Sequence, residues 1–483
     1  MGETTQTEGW LVTASDNRPL RVAIIGGGPA GIYTADLLTK AERDFEVSID
    51  IFDRYPAPFG LIRYGVAPDH PRIKGIIKAL YRVMDRGDIR FFGHVDYGTD
   101  LTLADLHRYC DAVVFSTGAV HDATLNIAGA ELEGSFGAAE FVNWYDAHPH
   151  TPHEWDLSAE SIAVIGNGNV ALDISRVLAK SADEMLTTEI PDYVYQGLKN
   201  SRAKDIHIFG RRGPAQMKFT PLELRELAHS PNVDIVLYPD DFEFDEASEQ
   251  VAQSNNQIKN MVGTLSNWML EQEEREESGE DTGATRRLHL HFLQAPQRIL
   301  SDESGTHVAG IRMQRMELTG DGNVQGTGEF IDYPVQAVYR AIGYFGSPLV
   351  GVRFNDKTGT IVHREGRVLD EKDQPVVGLY TSGWIKRGPV GLIGHTKGDA
   401  LETIGHIIED EPHLYTAEQP DEHAIIDLLE SRGIRYTDWE GWHRLDAHEV
   451  KLGEEFSQTA GISRERVKVF SNEEMVSISR QHK

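Results

Sequence analysis

Two glycine-rich turns, 140 residues apart, constrain the fold of this chain more than any other feature. The first is GGGPAG, residues 26–31; the second is GNGNVA, residues 166–171. Each comes after a short apolar run, LRVAII (20–25) or SIAVI (161–165), whose length and β-branching predict a buried strand. Each precedes residues at helical spacing, IYTADLLTKAE and LDISRVLAKSA. Strand, tight turn and helix together form the unit that seats a dinucleotide pyrophosphate on a helix N-terminus. Gly26 permits the turn, Gly28 lets the backbone approach the phosphates, and Gly31 lets helix and strand pack closely. The second copy has Gly166, Gly168 and, in the third place, Ala171. Two such units argue against a protein for one nucleotide. The expected class is α/β, with two Rossmann-like dinucleotide-binding domains.

The end of the second strand in each unit separates the two cofactors. VSIDIFDR alternates Val47, Ile49 and Ile51 as a strand does and reaches Asp53, 22 residues beyond Gly31. An acid there binds ribose hydroxyls. In the second unit, DIHIF (205–209) leads instead to Arg211 and Arg212. A guanidinium fork matches phosphate oxygens, so this pair points to the 2′-phosphate of NADP. The 40 residues between Ala171 and Arg211 exceed one ordinary helix, so the helix is extended or succeeded by an insertion, TTEIPDYVYQGLKNS. The first unit is assigned to FAD. DAVVFSTGA (111–119) ends a strand in Thr-Gly-Ala, and a strand–turn–helix from Leu379 returns toward a site of the same kind. FAD is long and draws contacts from distant segments. FAD and NADPH in one chain imply hydride transfer from nicotinamide C4 to flavin N5, for which a protein supplies alignment and excludes water.

Composition closes off other classes. The 483 residues suffice for two or three domains, and 40% hydrophobic with 25% charged residues is the balance of a soluble globular protein. Forty-seven Lys and Arg against 76 Asp and Glu leave −29, which disfavours nucleic acid and anionic membrane as partners. The single cysteine, Cys110, allows no internal disulfide, no CxxC pair and no cysteine-ligated cluster, which excludes disulfide reductases; it reads as a buried structural residue. No metal centre is expected. No run of about 18 apolar residues predicts a membrane span. The opening MGETTQTEGWLVTASDNRPL lacks the pattern of a secretory or transit peptide, so a cytoplasmic location, or an already processed form, is expected. The acidic runs of 240–285 read as an exposed helix and loop. The last seventy or so residues are polar and helix-like and suggest no chemistry.

PAPFGLIRYGVAPDHP (56–71), IGNGNVALD, GRRGPAQMKFTPLELRE and GWIKRGPVGLIGHTKGDA, in this order, resemble the adrenodoxin-reductase family of ferredoxin–NADP reductases, its bacterial members included. The similarity runs from about Arg21 to about Ile408. It implies an NADP domain (121–340) inserted into a discontinuous FAD domain (1–120 and 341–483, with the C-terminal tail). By the same resemblance Ala30, Asp53, Leu61 and Val95 contact FAD. Trp384 and the backbone of Gly391, Leu392 and Ile393 cover the flavin end, Gly391 also touching the nicotinamide. Asn167, Gly168, Asn169 and Val170 hold the NADP pyrophosphate, Arg211 and Arg212 the 2′-phosphate, and Glu223 is a nearby acidic contact. His70 and Asp173 resemble positions close to the flavin and are candidates for proton handling; structural hydrogen bonding is the alternative.

The implied partner is a ferredoxin, a small acidic iron–sulfur protein, served by a monomeric reductase. Docking needs basic surface. Lys74, Lys78, Arg82, Arg86 and Arg90 recur every four residues and predict a basic stripe on one helix, with Arg225, Arg286 and Arg287 as further candidates. The chain departs from animal members at SNNQIKNMVGTL (254–265), where only Lys259 is basic. Alternatives remain open: an NADPH-oxidising module like the glutamate synthase subunit, without that subunit's cysteine-rich segment; a flavin monooxygenase; or a non-enzymatic redox sensor holding FAD. Replacing Arg211 and Arg212 together with alanine is expected to raise KM for NADPH steeply and change NADH use little in steady-state assays. Equal losses for both nucleotides would remove the 2′-phosphate assignment.

Overall fold

In this computed structural model, residues 18–391 and 393–481 are described; Leu392 and the first seventeen residues lie outside them. The unalternated apolar runs form strands buried on both faces, as a parallel sheet between helices requires. In chain order these are β1 (Leu20–Ile25), β2 (Val47–Asp53), β3 (Ile89–Gly93) and β4 (Ala112–Phe115). The chain then leaves to build β5 (Ser135–Gly137), β6 (Ser161–Ile165), β7 (Asp205–Phe209), β8 (Val233–Leu237) and β9 (Arg286–His291). An antiparallel trio comes next, β10 (Gln294–Ser301), β11 (Val308–Leu318) and β12 (Val324–Tyr333), before β13 (Ala337–Arg340). The chain returns with β14 (His363–Arg364), β15 (Arg367–Leu369) and β16 (Pro375–Thr381).

The first sheet runs β14-β15-β16-β4-β1-β2-β3 and the second, all parallel, β5-β13-β6-β7-β9-β8. In each sheet strand order reverses beside the strand that precedes the glycine turn, at β1/β4 and at β6/β13. A crevice opens at such a switch point, outside the carboxyl ends of the strands. The two crossings between sheets are tied together, because His121–Asp122 pairs antiparallel with Tyr344–Phe345. Asp122 also accepts from the Ala139 amide (2.9 Å) at the start of the helix Ala138–Tyr145.

Helix α1 (Pro29–Lys40) packs on the later helix Thr396–Asp410. Helix α2 (Asn169–Ala179) sits in the second core with Phe141, Trp144 and Tyr339. The long spacing from Ala171 to Arg211 is an insertion, two short helices at Ala182–Leu186 and Asp192–Lys199. Helix α3 (Pro221–Leu227) comes after β7, capped by the Thr220 side chain. The acidic stretch forms the helices Glu246–Ser254 and Asn256–Ser278. The tail belongs to the first core: α4 (Trp439–Ala460) brings Trp442 to 5.5 Å from the Phe59 ring, edge to face.

The expected basic stripe does not exist as one helix face. The segment breaks into Pro71–Lys74 and Ile77–Met84, and Arg90 lies on β3. Lys74 pairs with Glu189, Arg86 with Asp36 and Arg90 with Asp50, which leaves Lys78 and Arg82 exposed. Arg286 donates to the carbonyls of Leu178 and Lys180, and Arg287 pairs with Asp205, so neither offers free charge. Arg225 is exposed.

The turn glycines differ in what they permit. A Cβ on Gly31 would lie 2.0 Å from the Gly26 carbonyl oxygen and 2.8 Å from Ser116 Oγ. The second unit already carries Ala171 at the equivalent place, fully buried. Gly31→Ala is therefore expected to destabilise by about 3 kcal/mol through overpacking, and Ala171→Gly by only about 1 kcal/mol through helix entropy. Urea unfolding of the two variants checks this difference.

Candidate active site

At the first switch point Gly26 has φ +116°, and a Cβ there would meet the Ser116 carbonyl at 2.5 Å. Ser116 Oγ donates back toward the Gly26 carbonyl (3.1 Å). α1 begins at the Gly28 N-cap with no side-chain cap, so its first N–H groups are available to an anion. Next to this turn lies a cavity lined by Gly26, Gly28, Ala30, Asp53, Leu61, Val95, Val170, Trp384 and Ile393 among others. Asp53 Oδ2 accepts the Gly27 amide (2.6 Å) and Oδ1 the Tyr55 amide (2.8 Å). Burial nevertheless pushes the carboxyl up to about 6, those amides opposing it.

The cavity fits a long dinucleotide on its own terms. It draws walls from segments near residues 26, 53, 61, 95, 117 and 384–396. A Cβ on Gly60 would lie 3.1 Å from Gly28 Cα, so the two turns approach closely beside the cavity. Thr117 lines it with a buried hydroxyl that has no hydrogen-bond partner among the described residues, a group awaiting a polar ligand.

The second turn repeats the device. α2 starts at the Gly168 N-cap, again without a side-chain cap, and nothing stands within 4 Å of a Cβ placed on Gly168. The segment after β7 folds over this turn: the Lys218 amide donates to the Asn167 carbonyl (3.0 Å) and the Thr220 amide to Asn169 Oδ1 (3.0 Å). Arg211 is exposed and Arg212 half-buried, and among the described residues neither guanidinium has a hydrogen bond or ion pair. Val170, in the first turn of α2, also lines the first cavity, so the two helix N-termini converge. Gly391, at φ +84°, is exposed beside His395.

Where the two units meet, His70 and Asp173 come into one buried cluster. His70 Nε2 lies 2.6 Å from Glu223 Oε2, and Nδ1 lies 2.8 Å from Glu226 Oε2. Arg176 bonds Asp69 (2.7 Å) and Asp173 (2.8 Å) and stands 3.8 Å from Glu223; Lys180 also bonds Asp69 (2.7 Å). Burial pulls the His70 imidazolium down, but Glu223 outweighs it and the pKa is raised. Burial raises Asp173 against the pull of Arg176. Asp69 would rise by burial, but Arg176 and Lys180 hold it well below the usual carboxylate range. Glu223, expected beside NADP, turns its Oε2 to His70. His70, Glu223 and Glu226 also bring three metal-type donors within 4.8 Å of one another, but Arg176 already supplies positive charge there.

Sequence reasoning passed over Asp69, Arg176, Lys180 and Glu226. Glu226 had a local signal: it stands three residues after Glu223 on one helix and so shares its face. Arg176 likewise stands three residues after Asp173. Nothing local placed either helix against His70.

Two Rossmann-type units, with helix N-termini converging on one cavity and a titratable cluster at their seam, define an oxidoreductase of the two-dinucleotide class. The family model for pyridine nucleotide-disulphide oxidoreductases matches residues 20–207. The NADPH:adrenodoxin oxidoreductase of Arabidopsis thaliana mitochondria is 37% identical, over 91% of this chain and 92% of that protein. The NADPH-ferredoxin reductase FprA of Mycobacterium tuberculosis is 36% identical, over 95% and 99%. The structure of that FprA in complex with NADPH superposes with a TM-score of 0.83, over 96% of this chain and all of that one, at 36% identity. The chain belongs to the adrenodoxin-reductase family of NADPH-dependent ferredoxin reductases.

Because folding raises the His70 pKa, its contribution to stability is full below about 6.5, the unfolded value, and is lost as pH rises through the raised folded value. Urea midpoints of wild type and His70→Gln should therefore differ more at pH 6 than at pH 9. A gap that widens with pH would contradict the raised pKa of His70.

Proposed function

We propose that the protein is an FAD-dependent ferredoxin–NADP reductase, oxidising NADPH and delivering electrons to a ferredoxin-type iron–sulfur protein. The observation that carries this is the convergence of two dinucleotide turns on one cavity, with Val170 of the second lining the site of the first. Bound there, FAD would supply two-electron acceptance and one-electron release, the chemistry that matches a nicotinamide donor to a one-electron acceptor. The chain's own work is placement. The N-terminus of α1, Gly28 and Ala30 receive the FAD pyrophosphate, and Asp53 and Val95 border its ribose end. Leu61, Trp384, Gly391 and Ile393 enclose the ring end. Asn167, Gly168, Asn169 and Val170 receive the NADP pyrophosphate, and Arg211 and Arg212 its 2′-phosphate.

At the seam, Glu223 and Glu226 keep a proton on His70, with Asp173 and Arg176 alongside. His70 and Asp173, which do not themselves line the cavity, are the groups proposed to take up or release the proton that accompanies flavin reduction and reoxidation. The chain divides functionally as 121–340 for NADP and 1–120 with 341–483 for FAD, and works as a cytoplasmic monomer. No helix among the described residues is long and apolar enough to cross a membrane. For docking, Lys78, Arg82, Arg225 and Lys259 are exposed.

Stopped-flow mixing with NADPH and NADH, then cytochrome c reduction with and without a ferredoxin, tests the reading. Expected are rapid flavin bleaching by NADPH and a ferredoxin-dependent rate that falls with ionic strength. A flavin left oxidised by NADPH would refute the reductase assignment; a rate indifferent to salt would refute electrostatic docking.

A further inference from the structure

The C-terminal tail, silent in sequence, crosses the seam between the two nucleotide units, and one lysine of it is almost entirely sealed from water. The Lys468 side chain is 1% exposed. Its Nζ donates to the Arg63 carbonyl (2.5 Å) and the Asp146 carbonyl (3.1 Å), and lies 2.7 Å from Glu189 Oε1. These partners belong to different parts of the molecule. Arg63 lies in the short helix Leu61–Tyr64, whose Leu61, Ile62 and Tyr64 line the FAD cavity. Asp146 ends the helix Ala138–Tyr145, which packs on α2. Glu189 lies in the insertion that separates α2 from β7.

The first unit reaches the same two carboxylates with Lys74, 2.6 Å from Glu189 and 3.6 Å from Asp146, which also donates to the Ile62 carbonyl (3.3 Å). The tail is held at both ends of this contact. Glu449 on α4 accepts a fork from Arg63 (2.5 and 3.0 Å) and the Val469 amide (2.9 Å). Arg464 donates to the Ile190 carbonyl and to Asp192 (3.0 Å) of the second unit. Two buried cations, Arg63 and Lys468, and the partly buried Lys74 thus meet three carboxylates, Asp146, Glu189 and Glu449.

We propose that the tail is a strap fixing the orientation of the NADP unit against the FAD unit, and that Lys468 is the positioning residue through which it acts. A buried ion cluster is a poor way to add stability, since apolar side chains of equal volume serve as well. What it adds is direction: Lys468 meets its partners only when the segments carrying Arg63, Asp146 and Glu189 stand in one arrangement. Hydride transfer demands such an arrangement, because reacting atoms must come to about 3–3.5 Å and small misplacements slow the step about a hundredfold. Lys468, Asp146 and Glu189 do not line the cavity, so their effect on chemistry passes through orientation.

The strap rests on the NADPH-to-flavin reading for its kinetic consequence, but its geometry can be read without it. Spin labels at Lys357→Cys in the first unit and Glu273→Cys in the second, both exposed, report the distance between units in the FAD-loaded protein. Cys110 is buried and leaves the labelling specific. Lys468→Met should broaden that distance distribution and slow flavin reduction by saturating NADPH at least tenfold. FAD content and photochemical reduction of the flavin, which need no NADP unit, should stay as in wild type. Glu189→Gln, which keeps the side-chain shape, should move both readouts in the same direction by less, and it decides the matter if Lys468→Met loses FAD or fails to fold. A distribution as narrow as wild type, or NADPH and photochemical reduction falling together, would overturn the strap. Wild-type flavin unmoved by NADPH would instead refute the reductase reading, leaving the distance measurement to judge the strap.

Discussion

A hydride moves only between rings in contact, so two separately folded nucleotide units are useful only if they are held in one fixed relation. That constraint explains where this chain concentrates buried charge. Asp69 and His70 of the first unit meet Asp173, Arg176, Lys180, Glu223 and Glu226 of the second. Lys74 and Lys468 meet Asp146 and Glu189 along the same seam. The two chain crossings are pinned to each other as well, through His121–Asp122 and Tyr344–Phe345. Removing one partner from such a buried group leaves an uncompensated charge and costs about 3–5 kcal/mol, which makes the arrangement hard to loosen.

Within each unit the same backbone device does different work through small changes. Gly26 meets Ser116 and Gly166 meets Ala341, each at the switch point of its own parallel sheet. Gly31 forbids any side chain between helix and strand, whereas Ala171 sets α2 to accept one. The first unit places the buried carboxyl of Asp53 after its turn, the second the cations of Arg211 and Arg212, without an ion pair among the described residues. In a protein at −29 overall those two arginines contrast with Arg86, Arg90 and Arg287, which are committed to carboxylates.

Much of this was legible in the sequence. Local signals are strong where the physics is local: LRVAII, SIAVI and DIHIF fold as strands at the residues expected, and both glycine turns open helices. The basic stripe failed because a four-residue spacing says nothing about helix ends. The segment breaks after Lys74, and Arg90 belongs to a strand. The seam partners were hidden for a different reason. Arg176 meets Asp69, 107 residues away, and Lys468 meets Arg63, 405 residues away; only the closed fold sets such pairs side by side. The tail looked empty of chemistry because its contribution is to hold other segments.

The claim of one fixed orientation has a direct chemical readout. NADPH carries two hydrogens at nicotinamide C4, and rings held in one relation present only one of them to the flavin. Anaerobic reaction of the FAD-loaded protein with NADPH deuterated at one C4 position or the other, with mass analysis of the NADP formed, measures which hydrogen leaves. The account predicts that one labelled form gives up its deuterium completely and the other keeps it. Partial loss from both forms would mean that the nicotinamide meets the flavin by either face, and would contradict it.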